Sequence, residues 1–380
     1  MSFLSAHSGS ADPSGARLVT FATTRAGREN NLNLLRLIAA AAVLYSHSYA
    51  LTGHMLEEPV ARATGQRTDA ATIGVVVFFA ISGYLITQSL ARSTSLARYA
   101  LARFLRIVPG LVIAKLLCAT IIGWWATSLA TSAYWRHPDT WRFLLGTPFF
   151  GSRDRLPGVF AGNPYPLAVN GSLWTLPVEA WCYAGAASIA IIGLTRRRIL
   201  LAAAVAAAVT GYAYFPAQSR TLLPFSGEGL VPALVGSFLF GALVYAGGRW
   251  IPVSLGLAAA ALVAIALAVG TWSFRYFYCT GISYVALVLA YHPRLLVRRY
   301  LRVGDYSYGT YVLAFPVQQL IVWRLGVTQP LLLFTLASLV TLPLAMASWH
   351  FVEKPALSLK RRLGRARSRR AAPPGTDADA

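Results

Sequence analysis

One apolar run restricts the fold of this chain more than any other feature. Residues 32 to 51, LNLLRLIAAAAVLYSHSYAL, are long enough to cross a bilayer as one helix. Hydrocarbon offers no water to bond the peptide groups of such a run, so a helix that satisfies them internally is imposed. Two side chains oppose that environment: Arg36 near one end and His47 near the other. The helical repeat puts them about three turns apart on one face, with roughly 16 Å between them along the axis. An ionisable group within a span is costly and normally faces the protein interior or a wet cavity. The plain alternatives are that Arg36 snorkels to the headgroups and that His47 only bonds a neighbouring helix.

The rest of the chain has the same character. Of 380 residues, 56% are hydrophobic and only 12% charged, where a soluble domain carries about 25% charged residues. The chain is therefore read as an all-α, polytopic membrane protein. A net charge of +21 raises the question of nucleic acid. The cations, however, sit between apolar runs and in the C-terminal tail, as basic loops bordering spans do, and no nucleic-acid partner is expected. Cys118, Cys182 and Cys279 all fall in apolar segments without a CxxC pair, so neither a disulfide framework nor a metal site is indicated. No apolar core stands beside a cleavage site in the first thirty residues, which rules out a secretory signal peptide of the usual form.

Residues 1–31 read as a flexible cytoplasmic leader, 32–353 as the membrane domain, and 354–380 as a basic, partly disordered cytoplasmic tail. After the first span, further spans fall at about 71–90, 110–130, 172–194, 199–215, 229–247, 252–271, 276–291, 306–324 and 330–352. The basic stretch ARSTSLARYALARFLRIVPG reads as an amphipathic surface helix ending at Pro109, and Pro355 is expected to end the last helix. About ten spans with both termini in the cytoplasm place lysine and arginine inside over outside by about three to one.

That topology assigns depths. His47 lies about 6 Å from the outer end of its helix and Glu179 about 10 Å into the fourth span, so the two form a candidate catalytic pair in the outer half. Arg36, Arg103, Arg106 and Glu353 gather at the inner face. Arg103 and Arg106 are i, i+3 and share a helix face. Guanidinium groups bind phosphates bidentately and stay charged at any working pH, so these arginines are candidates for holding a nucleotide-bearing coenzyme. The bland reading of RFLR is an anchor for anionic lipid. His47 can take and release a proton near neutral pH, as a base acting on an alcohol must. Trp174, Trp181 and Tyr183 read first as interfacial or core aromatics, Ser82 and Gly83 as a close-packing site, and Lys115 as reaching the inner headgroups.

Six segments in order resemble the acyltransferase-3 family of bacterial integral-membrane acyltransferases: NLNLLRLIAAAAVLYSHS, GVVVFFAISGYLI, RFLRIVPG, GSLWTLPVEAWCY, GDYSYGTYVLAFPV and SWHFVEKPAL. The resemblance implies transfer of an acyl group, often acetyl, from cytoplasmic acyl-coenzyme A as co-substrate, with no metal. It implies a hydroxyl acceptor on a saccharide or lipid-linked glycan, and a multi-pass location in the bacterial inner membrane. It makes His47 the expected base and matches Arg36, Arg103, Arg106 and Glu353 to the family's arginines and late glutamate. Many relatives carry a histidine where this chain has Ala314, which puts more weight on His47. The competing reading is a transporter or flippase in which His47 and Glu179 relay protons; the absence of visible repeated halves argues against it.

Overall fold

The computed structural model describes residues 19–24, 29–93, 95–146, 154–191 and 230–359. These residues form an all-helical bundle without strands. Its long helices are α1 (Leu32–Leu51), α2 (Ala70–Arg92), α3 (Leu96–Ala126), α4 (Thr175–Ile191), α5 (Val231–Ala246), α6 (Leu255–Ala268), α7 (Phe274–Tyr291), α8 (Ser307–Leu325) and α9 (Pro330–Leu359). Four of them, α1, α2, α3 and α9, are long and apolar enough to cross a membrane by themselves. The 16-residue α5 and 14-residue α6 fall short of the roughly 20 residues that a full crossing takes. The span expected at 199–215 lies outside the described residues.

Helix α8 is the axis of the bundle. Every residue from Ser307 to Gln319 is buried, so its tyrosines and glutamines meet protein and not lipid, which is where polar residues of a membrane helix are tolerated. Helix α2 approaches both α1 and α5 backbone to backbone. A Cβ at Gly83 would lie 1.9 Å from the Phe238 carbonyl oxygen, and one at Gly241 would lie 2.1 Å from that of Ala80. Small residues at a helix crossing permit this approach. Gly83→Val should force α2 and α5 apart, at a cost of about 3 kcal/mol or more, visible as a lower unfolding temperature of the detergent-purified protein.

Prolines do not break the helices where the sequence suggests. No surface helix ends at Pro109; α3 runs straight through it. The Tyr308 hydroxyl donates to the Ile107 carbonyl at 2.7 Å, beside the proline. Pro316 in α8 leaves the Val312 carbonyl without its usual donor, and Asn170 Nδ2 supplies one at 2.8 Å. Pro355 likewise fails to end α9: the carbonyl one turn before it belongs to Phe351, inside a wide π turn over Trp349–Glu353. At Pro316 a side chain from another segment, and at Pro355 a local widening, thus offset the bonds that proline removes.

The leader is not loose throughout. Phe21 is buried against the rings of Tyr84, Tyr284 and Tyr291, and the Val253 amide donates to the Val19 carbonyl at 2.7 Å. Asn31, just before α1, donates to the carbonyl oxygens of Leu289 and Leu295 at 3.2 and 2.7 Å.

Candidate active site

At the Arg36 end of α1 a cavity of about 440 Å³ opens between α1, α2, α3, α4 and α8. Arg36, Arg103 and Arg106 line it together with Glu179, Tyr183 and Asp305. Asp305 stands in the turn before α8 and joins two of the arginines. Its Oδ2 accepts from Arg106 at 2.6 Å and from Arg36 at 3.3 Å, while the Ser307 amide donates to Oδ1 at 3.3 Å. Burial pushes the Asp305 carboxyl up, but Arg106 and Arg36 outweigh it and hold the group at about 2. On the other side of Arg106, Glu353 lies at 3.6 Å and accepts from Ser348 Oγ at 3.0 Å.

Because Asp305 titrates lower in the folded protein than its ordinary value near 3.8, its ion pairs add stability above pH 4 that is lost as pH falls toward 2. The expected contribution is about 2 kcal/mol. Acid unfolding followed by tryptophan fluorescence should show that loss, and Asp305→Asn should remove the pH dependence over this window.

Arg103 is placed differently. Its guanidinium sits over the Tyr183 ring, 5.8 Å from the centroid, and its Nε is buried without a hydrogen-bond partner among the described residues. Glu179 faces the same cavity, where Ser82 Oγ donates to it at 3.2 Å and the Tyr183 hydroxyl also donates. This corrects the depth assigned to Glu179, which is not paired with His47. The first turn before α4 already lies inside the protein: Asn170, Ser172 and Leu173 are fully or almost fully buried. Counting residues from that point therefore carries Glu179 to the arginine end.

His47 stands toward the other end of α1. Its ring meets Phe315 of α8 edge to face at 5.2 Å, and its Nδ1 is buried without a hydrogen-bond partner among the described residues. One position along, Gln318 Nε2 donates to Ser48 Oγ at 2.7 Å and to the Leu44 carbonyl at 2.8 Å, tying α1 to α8. Asp69, before α2, caps that helix by accepting from the Thr72 amide at 2.6 Å. Lys115 does not reach the arginine end either; its Nζ donates to the Gly146 carbonyl and lies over the Phe143 ring.

The structure thus brings Arg36, Arg103, Arg106 and Glu179 to one chamber, with Glu353 behind Arg106, and leaves His47 beyond its wall, along the same helix. A family model described as an acyltransferase domain matches residues 29–350. The chain belongs to the acyltransferase-3 family. Two curated relatives resemble this acyltransferase along most of their length. An "O-acetyl transferase" of Shigella phage Sf6 is 29% identical over 338 residues, covering 86% of this chain and 96% of the relative. "Nodulation protein 10" of Rhizobium leguminosarum bv. viciae is 26% identical over 374 residues, covering 88% and 95%. No solved structure matches the chain.

Asp305 of this acyltransferase escaped the reading by residue type, because a lone acid just outside an apolar helix passes for a cap. In the GDYSYG segment the signal was an acid at the same level as three arginines, which a charge balance of the inner face would have picked out. Ala314 is 2% exposed and packs in one cluster with Leu44 and Phe315.

Proposed function

We propose that this acyltransferase moves an acyl group, in its simplest form acetyl, from cytoplasmic acyl-coenzyme A to a hydroxyl of a cell-envelope or exported saccharide. The observation that carries this reading is the division of labour along α1. An arginine-rich chamber for an anionic donor lies at one end, and an imidazole whose buried Nδ1 has no partner among the described residues lies toward the other. The positive-inside balance turns the arginine end to the cytoplasm of a bacterial inner membrane and the His47 end outward. The likeness to the O-acetyl transferase of the phage supports acetyl as the group and oxygen as the acceptor.

In the proposed step His47 removes the proton from the acceptor hydroxyl as its oxygen attacks the thioester carbonyl. The carbon–sulfur bond breaks, an ester forms, and the proton passes from the imidazole to the departing thiolate to give free coenzyme A. The pantetheine arm would run beside α1 from the chamber toward His47. Glu179, fixed by Ser82 and Tyr183, belongs to the donor end in this scheme and orders the chamber wall beside Arg103. A proton-relay transporter would need a carboxylate beside His47 other than Glu179.

The test is purified protein with acetyl-coenzyme A and deacetylated envelope glycan, followed by thiol release and by ester on the glycan. Stoichiometric appearance of both supports the proposal. Protein that consumes no acetyl-coenzyme A, as a transporter would behave, overturns it. Arg103→Gln should raise KM for acetyl-coenzyme A by about tenfold, since one charge-assisted phosphate contact is worth about that factor.

A further inference from the structure

Much of the positive charge of the donor chamber is already engaged. Of its three guanidinium groups, Arg36 and Arg106 bond Asp305, and Arg106 also pairs with Glu353, which stands outside the lining; Glu179 lines the same space. The guanidinium group left for a polyanionic donor is chiefly that of Arg103, which makes no ion pair with the described residues. Coenzyme A carries a diphosphate and, across one ribose, a separate 3′-phosphate, each strongly charged at neutral pH.

The missing charge lies next door. A second groove of about 380 Å³ is lined by Gln88, Ser89, Arg92, Ser93, Arg98 and Tyr99, and it shares Leu85 with the donor chamber. It joins the end of α2 to the start of α3, and none of the described residues in its wall is a carboxylate. Arg92 and Arg98 are exposed and make no ion pair with the described residues. Arg98 is five residues before Arg103 on α3, about 7.5 Å along the axis and roughly 140° around it, so the two guanidinium groups meet one ligand only through their long, flexible side chains. Gln88, Ser89 and Ser93 add neutral hydrogen-bonding groups around the pair.

We infer that the Arg92/Arg98 groove is a phosphate-monoester subsite that takes the ribose 3′-phosphate of the donor, while Arg103 faces its diphosphate. This inference rests on the coenzyme-A reading of the chamber. The same phosphate chemistry is offered by a lipid headgroup, and the experiment separates the two sources.

The full-length protein is placed in phosphatidylcholine nanodiscs, and the affinities of coenzyme A and 3′-dephospho-coenzyme A are measured by calorimetry. The wild type should prefer coenzyme A by about tenfold or more, as expected for a phosphate held by two guanidinium groups. Arg92→Gln/Arg98→Gln should bring that ratio close to one, chiefly by weakening coenzyme A. Arg92→Lys/Arg98→Lys should keep a reduced preference, since point charges remain. Equal affinities in the wild type, or an unchanged preference in the glutamine variant, overturn the subsite while leaving the coenzyme-A chamber intact. If added phosphatidylglycerol shifts the melting temperature of the wild type but not of the glutamine variant, and the ligand ratio is one in both, the groove is a lipid site and the inference fails. Failure of the wild type to bind either nucleotide removes the chamber reading and the subsite together.

Discussion

His47→Ala is expected to abolish ester formation, with transfer falling by the 10²–10⁴-fold that a positioned base contributes. Protein level and membrane insertion should match the wild type. The side chain is only partly buried and makes an edge contact with Phe315, so alanine removes little packing, while Gln318 continues to tie α1 to α8 through Ser48 and Leu44. His47→Gln, which keeps size and polarity without the base, should be as inactive as alanine. Binding of coenzyme A at the far end of α1 should persist in both variants. Full ester content on the glycan of cells carrying either variant would remove His47 from the mechanism.

The second large effect concerns stability. Asp305→Leu removes the only carboxylate that bonds Arg36 among the described residues, while Arg106 retains Glu353. Breaking a buried ion pair by deleting one partner leaves a charge uncompensated and costs about 3–5 kcal/mol. The variant should be recovered in lower yield and melt at a lower temperature in detergent. Adding Arg36→Met should restore much of that stability, because an apolar pair of similar volume replaces the ion pair at little or no cost. If Asp305→Leu melts with the wild type, the triad contributes no net stability, and the pairing seen at Arg36 is incidental. Acetyl transfer by the double variant then reports separately whether Arg36 acts on the donor or only completes the bundle.

What was legible in the chain follows from solvent. An uninterrupted apolar run in hydrocarbon has one way to satisfy its peptide groups. The positions of α1, α2, α5, α7 and α8 therefore fall within a few residues of those expected, and Arg36 and His47 lie where helical pitch puts them. The shared face of Arg103 and Arg106 is equally a matter of pitch, and both do line one cavity. The same logic failed at proline. Whether Pro316 breaks a helix depends on whether another segment donates to the freed carbonyl of Val312, and that donor, Asn170, is 142 positions away.

By itself, then, the sequence determined the helical class, the membrane-spanning character and the family of this acyltransferase, since each depends on local composition, periodicity and motif order. Only the tertiary structure decided which charges meet. Asp305 reaches Arg36 across 269 positions and Arg106 across 199, and Glu179 joins that group because its helix begins inside the protein. Charge pairing is decided by three-dimensional distance, and no one-dimensional count along a helix contains it.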